Sequence, residues 1–201
     1  MTFSLNKIKI TFDYLSAAAV CIMIILSRDS RFAAAIICTV IHECGHLLVM
    51  MRCGCKQAEI KVNLFNAAII DKERNTRSYK QDAAIICAGP AANLITALIA
   101  LPVYVLSGIG FAYNILIMSI LLAAFNLLPM ESTDGGQLLL LLLKQKLPQD
   151  TSQRIMTVIS LIVLLPVATV GFLVLLHSKY NYTLLFAALY LIVILLTKGN
   201  V

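Results

Sequence analysis

The feature that most limits how this chain can fold is a series of apolar stretches, each about as long as a bilayer is thick. A membrane-crossing helix needs about 20 mostly apolar residues. Six stretches approach that length: 10–26, 32–51, 83–106, 109–128, 155–176 and 182–197. They predict an all-α polytopic membrane protein of about six transmembrane helices, with residues 1–201 forming a single membrane-embedded domain. Composition agrees: the 201 residues are 60% hydrophobic and 13% charged, whereas soluble domains are nearer half apolar and a quarter charged. Pro102 and Pro166 fall inside predicted spans, where neighbouring helices can satisfy the backbone groups a proline leaves free. No small-residue cleavage site follows the apolar run 14–26, so it reads as a span rather than a removable signal.

Basic residues set the expected orientation. An even number of spans puts both termini and the connections 52–82 and 129–154 on one side. That side carries 13 Lys and Arg (Lys7, Lys9, Arg52, Lys56, Lys61, Lys72, Arg74, Arg77, Lys80, Lys144, Lys146, Arg154 and Lys198), against 3 on the other (Arg28, Arg31 and Lys179). The richer side is expected to be cytoplasmic, in a multi-pass protein of the cell membrane. The net charge of +6 is thus mainly a topology signal. No basic folded face of the kind that binds nucleic acid stands out, so nucleic acid is excluded as a partner. Six cysteines do not make a disulfide framework: Cys21, Cys38, Cys44 and Cys87 lie in spans. Cys53 and Cys55 fall on the predicted cytoplasmic side, where thiols stay reduced.

Two connections have structure of their own. Residues 52–82 contain AEIKVNLFNAAII, whose partial alternation and β-branched residues predict a short strand-like hairpin, followed by a polar turn around 71–77. The second, 129–154, opens with PMESTDGGQ and continues LLLLLLKQK. Six leucines are too few to cross a bilayer, so a short, half-buried or interfacial helix is expected there. No internal repeat or appended soluble domain is visible in the sequence.

Within the second span stands IHECGH, residues 41–46. On a helix, residues i and i+4 share a face one turn apart, so His42 and His46 can direct ring nitrogens at one ion. Glu43, the next residue after His42, can reach an ion-bound water. This is the H-E-x-x-H pattern of zinc hydrolases, with two ligands and a general base on one helix. Cys44 is rotated about 200° from His42 and is discounted as a ligand. One histidine in a span could be a satisfied core residue; two with an adjacent glutamate point to function, because ionisable groups in spans are costly. A catalytic zinc usually has a third protein ligand. His177 falls on the predicted opposite side from the motif. Asp134, in the cytoplasmic Thr-Asp-Gly-Gly turn, is a candidate, but aspartate ahead of an apolar helix also serves as a simple N-cap. Spacing leaves those two readings level.

Three segments together, HECGH (42–46), AGPAANL (88–94) and FNLLPMESTDGGQLL (125–139), resemble the site-2 proteases, the intramembrane zinc metalloproteases. The likeness covers a catalytic core from about 32 to 155, and the layout is most similar to the stage IV sporulation pro-sigma-processing branch. The resemblance implies one zinc held by His42, His46 and Asp134, with Glu43 as catalytic base. Asn126 and Pro129 match the start of the Asn-x-x-Pro…Asp-Gly motif, and Asn93 matches the polar position of Gly-x-x-x-Asn, which the family implies is involved in positioning substrate. Three departures stand out. Ser132 and Thr133, preceded by Glu131, replace the usual proline and aliphatic residue before Asp-Gly. The connection reads NLFNAA (63–68) in place of Pro-Phe-Gly-Gly. No nucleotide-sensing domain follows the last span.

The resemblance implies a protease that cuts a membrane-tethered protein in or near its transmembrane segment and releases a regulator to the cytoplasm. Its partners would be that substrate, the lipid bilayer, and a regulatory membrane protein or a second copy of the chain. Two other readings are a metal transporter and a catalytically inactive adaptor of the same fold. A transporter has no special need of Glu43 and needs polar residues along several helices, which 155–176 and 182–197 lack. The intact H-E-x-x-H argues against the adaptor.

Overall fold

In the computed structural model, residues 2–5, 8–12, 29–54, 58–63, 66–71 and 77–177 are described. The elements run β1 (Thr2–Leu5), β2 (Ile8–Phe12), α1 (Ser30–Arg52), β3 (Ala58–Asn63), β4 (Asn66–Asp71), α2 (Tyr79–Ser107), α3 (Gly110–Asn126), α4 (Asp134–Lys144) and α5 (Gln149–His177). Three helices are long and apolar enough to cross a membrane: Ser30–Arg52, Tyr79–Ser107 and, within α5, Gln149–Val170; Gly110–Asn126 is shorter. These four correspond to the second through fifth expected spans. The first expected span is corrected at its start, because residues 10–12 are the end of strand β2. The rest of it (13–26) and the expected last span (182–197) lie outside the described residues, as do Cys21 and Cys55.

Local sequence explains where the helices start and stop. Asp29 caps α1, its side chain accepting from Arg31 N at 2.9 Å. Ser78 and Gln81 form a reciprocal capping box at the start of α2, satisfying two backbone donors that the first turn would leave unpaired. Gly108, at φ +66°, ends that helix and donates its N–H to Tyr104 O at 2.8 Å. Only glycine adopts this left-handed stop at little cost. Pro90 and Pro102 sit inside α2, and Pro166 inside α5.

The chain divides into two compact units, Met1–Ala124 and Phe125–Val201. In the first, β1, β2, β3 and β4 form one sheet in that order, with β1–β2 and β3–β4 antiparallel and β2–β3 parallel. The β3–β4 pair runs from Ala58↔Asp71 to Asn63↔Asn66, within the connection where the alternating pattern lies. Helix α1 buries Ala34, Cys38, His42, His46 and Met50, a stripe repeating every four residues. Helix α2 buries Ile85, Gly89, Asn93 and Ala97 at the same interval. The two stripes pack closely because of Gly45: a Cβ there would lie 2.6 Å from Ala88 O and 2.8 Å from Ala92 Cβ. Small residues at such a crossing let two backbones approach. Polar contacts join α3 to α1: Asn114 Nδ2 donates to Ser30 Oγ at 2.8 Å, and Cys38 Sγ lies 3.2 Å from Ser119 Oγ.

In the second unit a turn leads into α4, which packs on α5. Met156, Ser152 and Ser160 of α5 are fully buried. Ser160 Oγ accepts from Glu131 N at 2.9 Å, and Gln153 Nε2 donates to Glu131 Oε1 at 2.7 Å. These two bonds hold the turn against α5.

Candidate metal centre

The buried stripe of α1 brings His42 and His46 to face α2, 4% and 6% exposed. Their rings meet edge to face with centroids 4.8 Å apart, and their Nε2 atoms are 3.2 Å apart. Two nitrogens bound to one zinc at about 2.0–2.1 Å and a near-tetrahedral angle are separated by roughly 3.3 Å. The pair therefore already has the spacing of two ligands on one ion.

The outer nitrogen of His46 fixes which of its atoms carries the lone pair. His46 Nδ1 lies 2.8 Å from Ile85 O. A carbonyl only accepts, so Nδ1 carries the hydrogen and donates it, and Nε2 of the neutral ring keeps its lone pair toward His42. His42 Nδ1 lies 3.2 Å from the Asn93 amide. A backbone carbonyl or side chain on the second nitrogen is the usual support of a metal-binding histidine.

Gly89 leaves room at the convergence point. A Cβ there would lie 2.7 Å from His42 Nε2 and closer still to His46 Nε2, so any other residue would fill the place the two Nε2 atoms face. Glu43 is half-buried on the same turn of α1. Cys44 is exposed, in keeping with its rotation off the ligand face. Converging nitrogens, a fixed tautomer and a cradle that a methyl group would fill all fit a bound transition metal.

In the second unit Asp134 is the first residue of α4, and the N-cap is Thr133 rather than Asp134. Thr133 Oγ1 accepts from Gly136 N at 3.4 Å and donates toward the carbonyls of Leu128 and Met130. The capping explanation of Asp134 is therefore taken by its neighbour. Asp134 Oδ2 is shielded from solvent, a costly place for a carboxylate unless it is engaged. Gly135 and Gly136 are required by close approach: a Cβ on either would collide with the backbone of Leu127 or Met130. Asn126 ends α3, and Pro129 follows in the turn before α4. Both are half-buried.

Sequence reasoning missed Gly89 as a site residue, along with the Ile85 carbonyl and the capping role of Thr133. The signal for Gly89 was present: AGPAA is a run of small residues in an otherwise bulky apolar span. A main-chain carbonyl such as Ile85 O leaves no signal in the sequence.

The sequence model of peptidase family M50 matches residues 31–116 and 106–167. The fold is similar to that of the site-2 protease from Methanocaldococcus jannaschii, with a TM-score of 0.68 and 23% identity, over 95% of this chain and 91% of that one. Among curated proteins there is no sequence match. With the family's sequence model covering most of the chain, including both histidines, Asn93, Asn126 and Asp134, this protein belongs to peptidase family M50, the metallopeptidases that include the site-2 proteases.

Proposed function

We propose that this protein is an intramembrane zinc metalloprotease that hydrolyses a peptide bond in or near the transmembrane segment of a membrane-tethered protein, releasing a regulator to the cytoplasm. The observation that carries the reading is the pair of Nε2 atoms 3.2 Å apart beside the gap at Gly89, with Glu43 on the same helical turn. His42, His46 and Asp134 would hold one zinc, since two imidazoles and a carboxylate are a donor set able to hold a metal ion. When bound, the zinc supplies Lewis acidity, which acidifies water and polarises the scissile carbonyl.

The protein's own groups do the rest. Glu43 accepts the proton of the attacking water at its carboxylate and passes it to the leaving amine. Ile85 O fixes the tautomer of His46. Asn126 ends α3 and Pro129 lies in the turn that leads to Thr133, whose cap sets Asp134 at the start of α4. A helical substrate hides its carbonyls in its own hydrogen bonds, so it must be extended before attack. Strand β4 is an edge of the described sheet, and an edge offers unpaired backbone groups to an extended segment. His42 is ten residues before the end of α1 at Arg52, or about 15 Å at 1.5 Å per residue. Cleavage is accordingly expected within the half of the substrate's span nearer that end. The excess of basic residues puts that end, and both termini, in the cytoplasm.

The test is cleavage of a single-span protein substrate in vesicles by the zinc-loaded chain, followed by mass measurement of the products. Glu43→Gln should keep its zinc and lose about 10²- to 10⁴-fold in rate. Cleavage at the wild-type rate by that variant would remove Glu43 from the mechanism. Zinc transport that persists in the variant, with no cleavage by wild type, would favour a transporter.

A further inference from the structure

Asn93 is the one side-chain amide in the buried stripe of α2, 0% exposed, one turn after Gly89. Its amide nitrogen lies 3.2 Å from His42 Nδ1. The inference drawn from it rests on the reading of His42 and His46 as metal ligands. Ligation through Nε2 leaves the hydrogen of a neutral imidazole on Nδ1, and a buried N–H needs an acceptor. For His46 that acceptor is Ile85 O. For His42, the group at the corresponding place is the Asn93 amide.

An amide presents oxygen or nitrogen to the same point by a half-turn of its terminal group, and which one is favoured follows from the hydrogen bonds on offer. As it stands, Asn93 Oδ1 is shielded from solvent and receives no hydrogen bond. Turned toward His42, it would gain the Nδ1–H and lose its isolation. We propose that Asn93 is a positioning residue of the metal centre. Its Oδ1 accepts from His42 Nδ1–H and so holds that ring in the tautomer, and at the angle, that aims the Nε2 lone pair at the ion.

This task differs from contact with substrate. It makes Asn93 the side-chain counterpart of the Ile85 carbonyl, so that each histidine has one acceptor behind it. It also accounts for the spacing of Gly89 and Asn93 on α2. Residue 89 leaves space for the two inner nitrogens, and residue 93, one turn on, meets an outer one.

The experiment is zinc affinity of the full chain in detergent, by competition with a chelator of known affinity. Wild type is compared with Asn93→Leu and Asn93→Asp, with thermal unfolding recorded for each. Leucine matches asparagine in size and accepts nothing, so its zinc affinity should fall about 10- to 100-fold, as when other supports of ligating histidines are removed. Aspartate presents an oxygen to the same point, so its affinity should stay within a few-fold of wild type. Wild-type affinity in a folded Asn93→Leu, with its loss confined to kcat or KM at saturating zinc, would overturn the assignment in favour of a substrate contact. Equal loss in both variants would overturn it in favour of packing alone. Wild-type protein that takes up no zinc would overturn the metal-site reading beneath it, a result distinct from the other two.

Discussion

Adding one methyl group at Gly89 is the sharpest steric test of the site. The Cβ of alanine would stand 2.7 Å from His42 Nε2, where ordinary contact begins at 3.4 Å, and closer again to His46 Nε2. At least one imidazole must retreat by more than 0.7 Å, and neither moves freely. Both are buried, His46 is held by Ile85 O, and His42 lies against Asn93. Forcing extra volume into a packed site typically costs about 1–3 kcal/mol. Charged to zinc binding, that is roughly a 5- to 150-fold weaker dissociation constant, at about 1.4 kcal/mol per factor of ten. The assay is chelator competition on purified Gly89→Ala beside Gly110→Ala, where a Cβ meets nothing within 4 Å. Gly110→Ala should bind as wild type does. A folded Gly89→Ala that also binds zinc like wild type would refute the convergence of the two nitrogens at that point.

Other variants probe the parts that hold the ligands. Thr133→Ala should lower stability by about 0.5–2 kcal/mol through loss of the α4 cap, read as a lower melting temperature. Thr133→Ser should recover most of it, and a serine variant no better than alanine would contradict the capping role. Gly136→Ala should shift the turn, because its Cβ meets the rigid Met130 carbonyl rather than a mobile side chain. A lower melting temperature together with weaker zinc binding is expected, and an unperturbed variant would show that α4 has room to move. His46→Ala should lose most of its zinc while α1 stays helical by circular dichroism; unchanged zinc content would exclude His46 as a ligand.

How much of this could be read from sequence varies with the physical origin of each feature. The H-E-x-x-H pair was legible because helix periodicity alone puts His42 and His46 on one face. The helices α1, α2 and α5 were legible as candidate spans because bilayer thickness sets a length that hydropathy reports directly, while α3 is apolar but shorter. Asp134 was ambiguous, because an aspartate before an apolar helix serves equally as cap or ligand. Thr133 takes the cap, a fact that depends on the path of residues 127–133 and not on composition. Glu131, which precedes the departures at Ser132 and Thr133, has its side chain bonded to Gln153, more than 20 residues away in sequence. The small-residue run AGPAA marks Gly89 in the sequence, but what it faces, and the carbonyl of Ile85 behind His46, emerged only with the crossing of α1 over α2.

The proposed centre is a single zinc that would be held by His42, His46 and Asp134, with Glu43 as base. The most direct measurement is zinc content of the detergent-purified protein, wild type beside Glu43→Gln and Asp134→Ala. About one zinc per chain is expected, unchanged by Glu43→Gln and diminished by Asp134→Ala. Zinc retained in full without Asp134 would contradict the assigned third ligand, and clean wild-type protein that binds none would contradict the metal centre itself.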